Sequence, residues 1–346
     1  MIKFATLFIF CAIVALALFF YSLKQKASLP IFQTNDPMFV DEGVIGDDLN
    51  ELSIEKLRQG RYSGSDIVVE ETLAPGSNYK RYIVSYKSEG LKIYALLTVP
   101  MANPPEGGFP AIVFNHGYIQ PSQYRTTEKY VAYTDVFSRN GYVLIRPDYR
   151  GHGNSEGTAN GAYGSSAYTI DVLNAVQSVK KYPGVNGEKI GMWGHSMGGH
   201  ITLRNMVIGG DVKAGVIWAG VVGSYPDLMN NWRRSVAFSP PPLPSGARRW
   251  RQVLTEKYGT PGQNPTFWDS ISANSYLSDI SGALQLHHGT GDSSVPFEFS
   301  KKLEEQMKAA GREVELYLYK DDDHNLSSNF SLAAKRSVEF FDKYLK

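Results

Sequence analysis

Six short apolar runs constrain this chain more than any other feature: Ala111–Phe114, Tyr142–Ile145, Lys189–Trp193, Ala214–Ala219, Ala283–Leu286 and Val314–Tyr319. They are continuous rather than alternating, the pattern of strands buried on both faces. Stretches with helical spacing lie between and after them, at Tyr130–Arg139, Ser166–Lys180, His200–Val207, Ser300–Ala310 and Leu332–Tyr344. Strand and helix in repeated succession predict an α/β fold, with a mostly parallel central sheet and helices on both faces. Upstream, Tyr79–Tyr86 and Leu91–Val99 alternate and are joined by Ser88-Glu89-Gly90. They predict a hairpin that adds antiparallel strands at one edge.

One run leads into a special turn. Ile190 to His200 reads Ile-Gly-Met-Trp-Gly-His-Ser-Met-Gly-Gly-His, with G-x-S-x-G centred on Ser196. A sharp strand-to-helix turn demands tiny residues two before and two after the serine, and Gly194 and Gly198 meet that demand. Such a turn lifts a hydroxyl clear of the backbone. It also sets the Met197 N–H at a helix start, where an oxyanion would form.

A serine hydroxyl is a weak nucleophile, so it needs a base, and the base needs an orienting carboxylate. With this turn the partners follow in the order serine, acid, histidine, in loops after later strands. The loop after Ala283–Leu286 offers Asp292 as its first carboxylate. The loop after Val314–Tyr319 offers His324, the only histidine downstream of Asp292. Of the other six histidines, His195 is expected to point into packing, while His152, His200, His287 and His288 read as structural. Asp321, Asp322 and Asp323 read as a solvated acidic turn, poorly aligned for the neighbouring ring and without a partner cluster for a metal. A second oxyanion donor is expected from Tyr118, after Asn115-His116-Gly117, because Gly117 lets the backbone approach closely. This chemistry calls for no cofactor and no metal.

Domain limits follow from composition. Phe4–Leu23 is a charge-free run flanked by Lys3, Lys24 and Lys26. Twenty helical residues span about 30 Å, the thickness of a bilayer core. Residues 1–26 are therefore expected to be an uncleaved, single-pass transmembrane anchor, with the body outside the cytoplasm. Residues 27–75 read as a tether with a short helical lead-in at Leu52–Arg58, and 76–346 as the catalytic body. Gly223–Leu277 interrupts the strand–helix rhythm and reads as a lid. Its arginines (Arg233, Arg234, Arg248, Arg249, Arg251) make either a solvated face or a basic rim for acidic substrates or lipid headgroups. A net charge of +1 gives no bias toward nucleic acid. A single cysteine, Cys11, excludes an intramolecular disulfide and a thiolate metal cluster. Oligomeric state is left open.

Five segments occur in one order: Asn115–Tyr118, Arg146–Gly157, Gly194–Gly199, His288–Pro296 and Asp323–Asn325. Together they resemble the catalytic domain of the prolyl oligopeptidase family, within the α/β-hydrolase superfamily. The resemblance implies Ser196 as nucleophile, Asp292 as orienter, His324 as base and an oxyanion site at Tyr118 and Met197. The expected activity is a serine peptidase acting on short peptides. The usual β-propeller has no room between residue 26 and the first body strand. That favours a second expectation, an esterase similar to dienelactone hydrolases or acetyl xylan esterases. An inactive binding protein on the same fold is the alternative of another class.

Overall fold

The computed structural model describes residues 49–232 and 245–346. A nine-stranded sheet forms its centre, in the order β1-β2-β3-β5-β4-β6-β7-β8-β9. The strands are β1 (Val68–Leu73), β2 (Tyr79–Ser88), β3 (Leu91–Pro100), β4 (Phe109–Asn115), β5 (Val143–Pro147), β6 (Val185–His195), β7 (Val212–Trp218), β8 (Ala283–Gly289) and β9 (Val314–Tyr319). β2 and β3 form the expected hairpin, and β3 runs antiparallel to β5. From β5 through β4, β6, β7 and β8 to β9 every pairing is parallel. All six apolar runs therefore lie in the parallel part.

Burial explains why those runs are continuous. In β4, Ala111 and Val113 enter the core on one face, while Ile112 and Phe114 enter the core on the other. The first face is covered by α3 (Ala167–Lys180), α4 (Met197–Ile208) and α8 (Glu298–Ala309). The second is covered by α2 (Val131–Arg139) and α9 (Phe330–Leu345). The interruption between β7 and β8 is helical, with α5 (Tyr225–Asn230), α6 (Ser245–Tyr258), α7 (Pro265–Ile271) and a 3-10 segment at Ala273–Asp279. Within it Arg251 is half-buried and held: its guanidinium lies over the Trp232 and Trp250 rings and donates to the Leu228 carbonyl at 3.0 Å. Arg233 and Arg234 lie outside the described residues.

The lead-in packs against the body rather than standing off it. α1 (Ile54–Arg58) is capped by Ser53, and Leu52, Ile54 and Leu57 are buried. Arg204 of α4, fully buried, donates to the carbonyls of Leu52 (2.8 Å) and Ile271 (2.6 Å). β1 adds a strand before residue 76, outside the expected start of the body. It carries no apolar alternation because nearly all of it is exposed at the sheet edge. The anchor expected at Phe4–Leu23 lies outside the described residues. Among the described residues, no helix is long and apolar enough to cross a membrane.

Several histidines are sealed in this core. Burial lowers His195, His200 and His287 to about 3 and His152 to about 4. Their folded values lie below the ordinary 6.5, so between pH 6.5 and 4 the unfolded chain binds protons that the folded chain refuses. Stability then falls as pH falls, by up to about 1.4 kcal/mol per pH unit for each histidine. Buried Asp148 acts in the opposite sense, because burial raises it to about 6, but it is one group against several. The urea midpoint should therefore drop steadily from pH 6.5 to 4.5. A midpoint that rises over this interval would contradict the burial of neutral rings.

Candidate active site

The turn after β6 is the one the glycine spacing predicts. Ser196 follows the strand directly, caps α4 and has φ 55°, ψ −118°. A non-glycine residue held there costs on the order of 1–3 kcal/mol, and the surroundings enforce it. The Ser196 N–H donates to Trp218 O at 3.1 Å, and Ser196 O accepts from the Gly199 and Val221 N–H groups at 3.0 Å each. A methyl at Gly194 would meet the Gly198 carbonyl and Thr202 Oγ1, and one at Gly198 would drive into the Asn115 carbonyl. One at Gly199 would stand 2.7 Å from Gly220 Cα. The strand end, the helix start and the β4 loop approach so closely that only glycine fits. Met197 is the first residue of α4, where N–H groups have no intrahelical acceptor.

Two loops bring the other expected residues together. Asp292 follows β8, and its carboxylate is fully buried. His324 follows β9 and keeps part of its ring exposed. His324 Nδ1 lies 2.7 Å from Asp292 Oδ2. In the neutral ring, Nδ1–H donates to the carboxylate and Nε2 is left as the acceptor. Asp292 Oδ1 accepts from the N–H groups of Ser294 (2.7 Å) and Val295 (3.0 Å). Burial alone would raise this carboxyl. Hydrogen bonds from His288, His324 and the Val295 amide outweigh it and hold the group well below the usual carboxylate range.

His288, expected to be structural rather than the base, is bonded to the acid. Its Nε2 lies 3.1 Å from Asp292 Oδ2 and its Nδ1 lies 2.7 Å from Ser300 Oγ. Its spacing, four residues before the acid, is the only sign of this in the sequence. His195 departs further from expectation. It is buried, but its ring joins two loops: Nδ1 lies 2.7 Å from Tyr130 Oη, and Nε2 lies 2.9 Å from the His324 carbonyl. Its position beside Ser196 was legible, its partners were not.

In the acidic run before His324, Asp321 and Asp323 are exposed as expected and Asp322 is not. Asp322 is buried rather than solvated and accepts from the N–H groups of Asp323, Ser328 and Asn329 and from the Asn329 amide. Asp323 accepts from the N–H groups of Asn325 and Ser327 and from Ser327 Oγ. These carboxylates build the loop that presents His324. Among the described residues no group of three or more His, Cys, Asp or Glu side chains could hold a metal ion.

Gly117 stands against the elbow: a Cβ there would lie 3.1 Å from Ser196 Cβ. Tyr118 follows directly, with an exposed side chain. The strand ends thus gather Ser196, the Asp292–His324 pair and the Gly117–Tyr118 segment at the carboxyl edge of the parallel strands, where sites lie in open α/β sheets.

An uncharacterized peptidase of Bacillus subtilis, YtmA, is 25% identical over 252 residues, which cover 72% of this chain and 88% of that protein. A probable dipeptidyl-aminopeptidase B of Coccidioides posadasii is 22% identical over 313 residues, 88% of this chain. The chain spans only 31% of that relative's length. An acetyl xylan esterase from Paenibacillus sp. R4 shares the fold with a TM-score of 0.62 and 16% identity, over 84% of this chain and 92% of that one. The profile of the prolyl oligopeptidase family matches residues 129–346. On that match, over more than half its length, the chain belongs to the prolyl oligopeptidase family and has the α/β-hydrolase fold.

Proposed function

We propose that Ser196, Asp292 and His324 act as a catalytic triad that cleaves peptide or amide bonds through an acyl-enzyme. The 2.7 Å bond between His324 and Asp292 carries this reading, because it fixes the tautomer that leaves Nε2 free to take a proton. Ser196 Oγ attacks the carbonyl carbon as its proton passes to His324 Nε2. The oxyanion is held by the N–H groups of Met197 and Tyr118, each worth about 2.7–4 kcal/mol in such sites. His324 then gives the proton to the leaving amine. Water, deprotonated by the same nitrogen, releases the acyl group. Family membership and the peptidase relative favour short peptides.

A second reading, a carboxylic-ester hydrolase, is supported by the shared fold of an acetyl xylan esterase, which the chain matches with a TM-score of 0.62 over 92% of that chain. In either case segment 223–277 is taken to be a lid over the site. Trp232 Nε1 donates to the Ser294 carbonyl at 2.9 Å, which ties it to the Asp292 loop. Membrane attachment through Phe4–Leu23 belongs to the same proposal and rests on the charge-free run.

A fluorophosphonate probe should label the intact protein and fail on Ser196→Ala. Asp292→Asn should lower kcat by about 10⁴-fold with KM little changed. Aminoacyl anilides compared with short acyl esters decide the substrate class, and turnover of esters alone would overturn the peptidase reading. The full-length protein should stay in carbonate-washed membranes, and its release by that wash would overturn the anchor.

A further inference from the structure

Three hydrogen bonds run in series through the elbow. The Gly117 N–H donates to Tyr130 Oη at 2.9 Å. Tyr130 Oη lies 2.7 Å from His195 Nδ1. His195 Nε2 lies 2.9 Å from the His324 carbonyl oxygen. The proton positions follow from the chemistry of the ends. A carbonyl oxygen only accepts, so His195 Nε2 carries hydrogen. The buried ring is neutral, so Nδ1 accepts, and the Tyr130 hydroxyl must donate to it. Each group then makes one bond in one direction, from the loop after β4 to the loop after β9.

The rest of the fold spends strain and burial to keep Tyr130 in place. Lys129 and Tyr130 both have left-handed φ, 51° and 50°, directly before α2. Buried Arg146 holds the preceding turn, donating to the carbonyls of Thr126, Glu128 and Lys129. The Tyr130 ring packs edge-on against Phe114 and Trp193. Gly117 leaves the path open, since a Cβ there would lie 2.6 Å from Tyr130 Oη.

We infer that His195 is a positioning residue, locked as its Nε2–H tautomer by Tyr130, that sets the backbone of His324 against the Gly117–Tyr118 segment. This rests on the proposed roles of His324 and Tyr118. Through it the loop presenting the base and the loop presenting an oxyanion donor share one rigid link beside the nucleophile. The ring also packs against the His324 ring, with centroids 4.7 Å apart, so it acts through that residue. A misplacement of about 1 Å in such a site can cost about 10²-fold in rate.

Two measurements test this. Tyr130→Phe keeps the ring packing and removes the hydroxyl, and His195→Phe removes the link. With rates normalised to the fluorophosphonate-labelled fraction, both should lower kcat by about 10- to 100-fold and leave KM within about twofold. Full labelling with kcat within twofold of the parent protein would overturn the positioning role while leaving the hydrolase reading intact. The second measurement is independent of activity. In ¹⁵N-histidine spectra, the resonance lost in His195→Phe should show a protonated Nε2 and an unprotonated Nδ1. The Nδ1 signal should move downfield in Tyr130→Phe, as expected when an acceptor loses its donor. A protonated Nδ1, or no response to Tyr130→Phe, would overturn the link even if the protein hydrolysed nothing. Absence of probe labelling in the parent protein would instead defeat the hydrolase reading, with the spectra still deciding the link.

Discussion

The close approach of α4 to the end of β4 is the constraint on which the rest depends. Gly198 lies so near the Asn115 carbonyl that no side chain fits between them. That contact sets the angle at which the chain leaves β6, and so forces Ser196 to φ 55°. Only a sheet that pins neighbouring strands in parallel register can hold the turn. Asn115 pairs with Gly194, and His195 pairs with Trp218. The strain at Ser196 is therefore maintained by the most buried strands of the molecule and not by the turn itself.

From that edge the electrostatics follow. Asp292 is a charge with no direct access to water, and a buried carboxylate persists only when its lone pairs are occupied. Two backbone amides and two imidazoles occupy them. The loops after β8 and β9 are themselves joined, by the Thr290 N–H to the Tyr319 carbonyl and the Gly291 N–H to the Asp322 carbonyl. The acid and the histidine are thus fixed to each other by main chain as well as by side chain.

Much of this was legible in the sequence, and the remainder was hidden for physical reasons. Five of the six runs could be read because burial on both faces leaves little room for polar side chains; β9, at the sheet edge, is only partly buried although its run is mostly apolar. Asp292 and His324 could be read because the elbow dictates their order and the strands dictate their loops. β1 escaped because an exposed edge strand needs no apolar alternation. The burial of Asp322 is hidden because three consecutive aspartates look solvated until the loop folds back to supply donors. The partners of His195 lie 65 and 129 residues away, and no local pattern encodes them.

Arg204 carries a consequence for how the molecule opens. Its guanidinium has the Leu52 and Ile271 carbonyls as acceptors, one from the lead-in and one from the helical insertion. A fully buried cation cannot lose an acceptor cheaply. Unfastening either segment exposes a charge to unpaired burial and weakens the hold on the other. The lead-in at Leu52 and the end of α7 at Ile271, more than 200 residues apart, are therefore coupled through one buried cation on α4.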